Sequence, residues 1–440
     1  MQFSITKYAP IIEEARTSFW FVPSVMVLSS ILLAGCAIYI DAFYIDSIEL
    51  KIPLIYGTDI DAIRSLLGTI AGSMITVTSI AFSITIVALT LASSQFGPRL
   101  LRNFMMDTGT QVVLGSFISN FLFCILVFCA ISFQEPYTFK PGLTVIIAVL
   151  MTCLSVGVLI YFIHHVAKSI QADVVIDDVY EELQSGIENL FPSVQKKHQS
   201  GMTDDLNNTD FTTRTHQANV FAKCSGYVET IDYEALLTLA TESEVMIECR
   251  FGPGDFVVQD SIIAIVHSDH IVADKVFKKT VDRTVLGAYR TPVRDPEFAI
   301  HQLVEIALRA LSPGINDPYT AITCIDKLNS VLCGLTQRVF PANQHYDQAG
   351  ILRLFCKVLT FNDIAKAAFD QIRQVANNNV AVTIRLLESL HVLMLFAQDD
   401  EHKNFVISQT KMIEEQQNKL PLAEDDLTVI SNKVALIYSS

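Results

Sequence analysis

Charge is what the first part of this 440-residue chain lacks. Residues 1–165 hold 7 Lys/Arg and 9 Asp/Glu, while the remainder holds 24 and 37, so about −13 of the net −15 lies after residue 165. A remainder so acidic is not expected to bind nucleic acid or anionic headgroups by bulk charge. The nine cysteines never fall into a CxxC or a Cys/His spacing of metal type, which argues against a zinc site and a disulfide framework and for reduced thiols. A P-loop, a nucleophile elbow and a dinucleotide glycine motif are also missing, so no catalytic residue, cofactor or metal is expected. No small-residue cleavage motif follows the first apolar run, which begins near Trp20 and is long enough to span, so a cleavable signal peptide is not expected.

What the first part does have is long apolar runs. Four are read as membrane spans: Trp20 to Ile40, Leu66 to about Arg102, Val112 to Phe133, and Gly142 to Ile163. Between Leu66 and Ser94 there is no charge, and 29 residues of helix reach roughly 43 Å, more than the hydrocarbon core of a bilayer requires. This second run is rich in hydroxyls. Steps of four and three from Thr69 pass through Thr69, Ser73, Thr76, Ile80, Ser83, Val87, Thr90 and Ser94, and six of those eight are Ser or Thr on one helical stripe. Lipid does not favour such a stripe. It is expected to face other helices, where hydroxyls permit close packing, or water along a path through the membrane, and both readings stay open. A break at Gln95-Phe96-Gly97-Pro98 and two cations, Arg99 and Arg102, mark the cytosolic mouth of such a path.

Short loops set the orientation. Lys7, Arg16, Arg99, Arg102 and Lys168 fall on one side, and Lys51, Arg64 and Lys140 on the other, which favours both termini in the cytoplasm. The chain then divides into residues 1–165, a four-helix transmembrane domain; 166–217, an amphipathic stalk helix and a polar linker; 218–272, a small β-rich cytosolic module; and 273–440, a C-terminal helical cytosolic domain. In the β-rich part, Gly226 to Asp232 and Val245 to Arg250 alternate as strands, and Phe251-Gly252-Pro253-Gly254-Asp255 turns into a third. The fold class is therefore an α+β integral membrane protein with a small cytosolic β-barrel or sandwich. Its hairpin resembles that of biotinyl or lipoyl modules, without the lysine at the tip that would carry a group.

The densest set of polar side chains lies further on. Arg290, Arg294, His301, Glu305 and Arg309 lead into Asn316 and Asp317, and His301, Glu305 and Arg309 are spaced by four, on one helical face. They make either a pocket or subunit contact, or a salt-bridged helix face beside a capped turn. Asp317 followed by Pro318 has the form of an N-cap with proline at the first helical position. His164-His165, at the exit of the fourth span, is read either as a pH sensor or as ordinary interfacial histidines.

The strings SSQFGPRLLRNF, GYVETIDYEALL, FGPGDFVVQDSIIAIV and FAIHQLVEIALRALSPGINDPYTAITCIDKL follow one another across nearly the whole chain. In that order they resemble the bacterial predicted membrane proteins called domain of unknown function 2254. The resemblance implies the architecture above and a multi-pass protein of the bacterial inner membrane, and no catalytic residue. The expected function is a channel-like homo-oligomer that conducts ions or small solutes along the second helix, in contact with lipid and with other copies of itself. The alternative is a membrane-anchored binding or scaffold protein without a pore, and an enzyme ranks third.

Overall fold

A computed structural model describes residues 19–43, 60–100, 104, 107–132, 141–192, 214–290, 295–376 and 379–440. The entry segment, the loops after the first and third spans and the polar linker lie outside these residues. The chain forms two compact units, divided between Val174 and Val175.

The first unit has four long apolar helices: α1 (Phe21–Phe43), α2 (Ile60–Phe96), α3 (Thr108–Ser132) and α4 (Leu143–Ser169). Each is long and apolar enough to cross a membrane. The helix α3 is the central element: half of its most apolar stretch is buried, against 22% for each of the others. One apolar cluster joins Leu67, Ile70 and Met74 to Phe123, Val127 and Ala148, and a second gathers Ala81, Phe117 and Phe162. Packing is close where residues are small. A Cβ on Gly115 would lie 2.7 Å from Met26 Sδ and 3.1 Å from Pro23 Cα, so the glycine is what lets α1 approach α3. Ser30 Oγ donates to the Ser119 carbonyl across the same contact, at 2.7 Å.

The expected stalk is not continuous with the fourth span. Helix α4 ends at Ser169, and a separate helix, α5 (Ala172–Leu190), begins after a break at Ile170-Gln171. Its apolar stripe of Val175, Val179, Leu183 and Ile187 is buried in the second unit. A helix with such a one-sided face gains more by packing than by standing free in water.

The second unit carries β1 (His216–Phe221), β2 (Gly226–Ile231), α6 (Tyr233–Glu242), β3 (Met246–Cys249), β4 (Phe256–Val257), β5 (Ile262–Ser268), α7 (Asp274–Asp282) and β6 (Thr284–Gly287). Next come α8 (Pro296–Ala310), α9 (Pro318–Leu335), β7 (Gln344–Tyr346), β8 (Leu352–Phe355), α10 (Phe361–Val375), α11 (Val380–Phe396), α12 (Asp400–Gln417) and α13 (Glu424–Ser439). The strands make two open sheets, β1-β5-β3-β8-β7 and β4-β2-β6, and no closed barrel forms among the described residues. Val228 and Val257 of the smaller sheet share an apolar core with Val220, Ile247, Val266 and Leu354 of the larger.

The expectation of helix throughout residues after Val272 needs correction. Strands β6, β7 and β8 all lie there, and β8 pairs in parallel with β3, Ile247 opposite Leu354. Leu352-Arg353-Leu354-Phe355 is too short for its own periodicity to show, and it becomes a strand because β3 offers it an edge. Arg353 is anchored to Asp347 at 2.7 Å, across the turn that leads into the strand.

Candidate functional site

The helix α2 buries Leu67, Ile70, Met74, Ala81, Thr85 and Ala92 against its own bundle. At 100° per residue the Ser/Thr stripe falls on the opposite side of the helix. Thr69, Ser73, Thr76, Ser83, Thr90 and Ser94 are all exposed, as are Ile80 and Val87 between them. The stripe therefore packs on none of the other described helices of this chain. Large apolar side chains border it, with Ile84 and Leu91 on one flank and Ile75, Phe82 and Ile86 on the other.

Every stripe hydroxyl is committed in the same manner. Thr69 donates to the Ser65 carbonyl at 2.7 Å, Thr76 to Gly72 at 2.9 Å, Ser83 to Ser79 at 2.9 Å and Thr90 to Ile86 at 2.8 Å. Ser73 and Ser94 reach back three residues, to Ile70 and Leu91, each at 2.8 Å. The protons point along the helix, which leaves oxygen lone pairs outermost. At the end of the stripe Gln95 is exposed in the last turn of α2, and Gly97 turns the chain with φ +114° into the short 3-10 turn Pro98–Leu100. The side chain of Arg99, and Arg102 altogether, lie outside the described residues.

The first span was expected to end at Ile40, which left Asp41 outside it; α1 runs on to Phe43 and takes Asp41 in. Asp41 lies in the last turn of α1, is 1% exposed, and caps the start of α4. It accepts from the amides of Gly142 at 3.1 Å, Leu143 at 2.9 Å and Thr144 at 2.9 Å, and from the Thr144 hydroxyl at 2.7 Å. These amides are the otherwise unpaired donors at the positive end of α4. A signal for it did exist: α4 opens with Pro141-Gly142 and has no capping side chain of its own. Arg64, assigned to an outer loop, stands in the first turns of α2, paired with Asp61 at 3.3 Å and donating to the Ile131 carbonyl at 3.1 Å. Asn120, fully buried, was also missed; it donates to Ser155 Oγ at 3.1 Å and joins α3 to α4.

At the other end of α4, His165 Nε2 lies 2.7 Å from Asp107, with the Tyr161 ring stacked on the imidazole. Asp107 also takes the Thr110 amide and hydroxyl at the start of α3. Burial works to raise the Asp107 carboxyl, but the bonds from Thr110 and His165 outweigh it and hold the group below the usual carboxylate range. His164 is exposed.

In the second unit the expected constellation separates into two groups. At the start of α8, Arg290 reaches Asp295 at 2.6 Å and Glu297 at 3.0 Å, and His301 lies 3.9 Å from Glu297. Burial would pull the guanidinium down, but its bonds to Asp295 and Glu297 outweigh that and hold it firmly charged. The Gly254 turn sits directly on this group: φ is +90°, and a Cβ there would lie 2.5 Å from Asp295 Oδ2. Arg294 is outside the described residues. Glu305 and Arg309 pair with each other at 3.2 Å further along α8. Roughly 20 Å of helix after the first group, Asn316 takes a left-handed turn with φ +52°, and Asp317 caps α9 through the Thr320 amide at 3.2 Å and hydroxyl at 2.6 Å. Asp295, the N-cap of α8, was not among the residues that sequence reasoning singled out.

A family model described as "Predicted membrane protein (DUF2254)" matches residues 16–392. The chain is 29% identical over 362 residues to the uncharacterized protein Rv1290c of Mycobacterium tuberculosis, covering 81% of this chain and 68% of that one. The uncharacterized protein Mb1321c of Mycobacterium bovis gives the same figures. No solved structure matches the chain.

Proposed function

Because the chain belongs to the DUF2254 family of predicted membrane proteins, we propose that its copies assemble in the bilayer around the outward face of α2 into a channel-like path for ions or small solutes. One observation carries this reading: the hydroxyl stripe lies opposite the buried face of its own helix and is exposed among the described residues, where lipid, water or a second copy can meet it. A ring of subunits would bring the stripes together and leave the flanking Ile84, Leu91, Phe82 and Ile86 for contact between copies or with lipid. Since the hydroxyl protons return to the helix, such a path presents oxygen acceptors, which suit cations and hydrogen-bond donors better than anions. Conduction, not catalysis, is the proposed role. The setting is the bacterial inner membrane with both termini in the cytoplasm, a reading supported by the balance of cations in the loops.

The test is accessibility. With the wild-type cysteines replaced, Ser73→Cys, Thr76→Cys, Ser83→Cys and Thr90→Cys are labelled in nanodiscs by a small charged thiol reagent under several salt and voltage conditions, with Ile75→Cys and Ile86→Cys as controls. Stripe positions that react while the controls stay inert fit a water path, because a thiolate forms readily only where water reaches it. An inert stripe in a folded assembly, or a strictly monomeric particle, removes the channel reading. A membrane-anchored scaffold would then stand, and one observation favours it: hydroxyls satisfied within their own helix can rest against lipid at small cost.

A further inference from the structure

Independently of the membrane path, the second unit contains a groove that the function proposed above does not use. It lies between α9 and α11 and encloses about 540 Å³, within the range of small-molecule sites. The two helices run side by side, with Asp326 opposite Arg385 at one end and Gln337 and Phe396 lining the groove beyond.

The groove changes character along its length. At one end the Arg385 guanidinium is fixed between two carboxylates, Nε on Asp326 at 2.5 Å and Nη1 on Glu388 at 3.1 Å. Lys433 holds the other oxygen of Glu388 at 2.8 Å. Two positive and two negative groups cancel, so this end attracts neither a simple anion nor a simple cation. Arg385 keeps further N–H donors in its planar fork, beside carboxylate oxygens that accept. In the middle are two polar side chains more than nine-tenths buried. Ser389 is 3% exposed, and the Asn329 carboxamide, 9% exposed, accepts from the Cys333 thiol at 4.0 Å. Both line the groove, where a ligand can meet the hydroxyl and the carboxamide. The far end carries the apolar side chains of Val392 and Phe396, with Gln337 beside them.

Gly334 in the last turn of α9 points the same way. Its φ is not in the left-handed region, and a Cβ built on it would meet nothing within 4 Å. Neither the backbone nor packing requires a glycine there, and glycine is a poor helix former. What it does is keep the groove open.

We propose that the groove binds a small zwitterion with an apolar side chain, of the α-amino-acid class. Its carboxylate lies on the free donors of Arg385 and its ammonium on Asp326 and Glu388. Asn329 and Ser389 bond its polar part, and its side chain lies along Val392 and Phe396.

The experiment is calorimetric titration of the full chain in nanodiscs with L-phenylalanine, 3-phenylpropionate and phenethylamine, which present both charges, the carboxylate alone and the ammonium alone. The expected result is saturable binding of L-phenylalanine that weakens by about tenfold or more when either charge is removed. Equal binding of all three, or no saturable binding of L-phenylalanine at millimolar concentration, overturns the proposal. The blocking variant is Gly334→Leu, expected to abolish binding while thermal stability holds or rises, since the helix improves and the new side chain enters empty space. Unchanged binding in that variant overturns the proposal as well. Should the variant fold poorly, the three ligands on the wild-type chain decide the question alone.

Discussion

In α2 the hydroxyls of Thr69, Thr76 and Thr90 bond carbonyls of their own helix, four residues back. In the second unit Lys357 reaches Asp255 and Arg338 reaches Glu188, across 102 and 150 residues of sequence. The α2 stripe and these surface pairs satisfy polarity in opposite ways because their solvents differ. In hydrocarbon no water relieves a polar group that loses its partner, so a bond within one helix is the safe one. In water a partner can be distant and loose, and each exposed pair contributes little. Ser30, Asn120 and Asp41 depart from that pattern by bonding across helices, and Asp41 does so most fully, with four donors on its carboxyl group.

That contrast predicts where substitutions should hurt most. The largest effect is expected at Asp41. Replacing it by Ala strands three amides at the start of α4, at a cost of about 2–4 kcal/mol. Asp41→Asn, which keeps an acceptor, should recover part of the loss. Trp20, the only tryptophan of the chain, stands just before α1 and makes fluorescence unfolding in detergent a direct readout. An Asp41→Ala chain as stable as the wild type would show that this cap is dispensable.

Second comes Arg290→Ala, which leaves the buried Asp295 and half-buried Glu297 facing each other; the expected loss is about 2–3 kcal/mol, below the figure for fully buried pairs. Thermal unfolding of the second unit checks it, and Arg290→Lys, lacking the planar fork, should fall between the two. Third, Asp317→Ala removes the cap of α9 and should cost roughly 0.5–2 kcal/mol. If that variant keeps full stability, the turn is held by something other than its cap.

The smallest effect on stability belongs to the stripe. Ser83→Ala should change unfolding by no more than about 0.5 kcal/mol, because its hydroxyl bonds only its own helix. Any change in solute flux in that variant would then report on the path and not on the fold. A large loss of stability would instead mean that Ser83 packs tightly against another chain.

Much of the site was legible. The Ser/Thr stripe, the Asp317 cap and the Gly254 turn all rest on local periodicity or on residues that suit one backbone conformation, and such signals survive in one dimension. Asp41, Asn120 and the pairing of Arg290 with Asp295 were not, since each depends on what a distant element presents. The strand β8 failed for the same reason: four residues beside β3 take their conformation from the neighbour.

By itself, then, the sequence determined the four apolar helices, the hydroxyl face of α2 and the glycine turns, because helical period, chain length against bilayer thickness and backbone freedom are properties of neighbouring residues. Only the tertiary structure decided that the hydroxyl face points out of its bundle and that Asp41 lies inside it. It also decided that residues from both sides of Val272 share one sheet. A helix has many sides and a strand has two edges, and which of them is covered depends on partners far away in the chain.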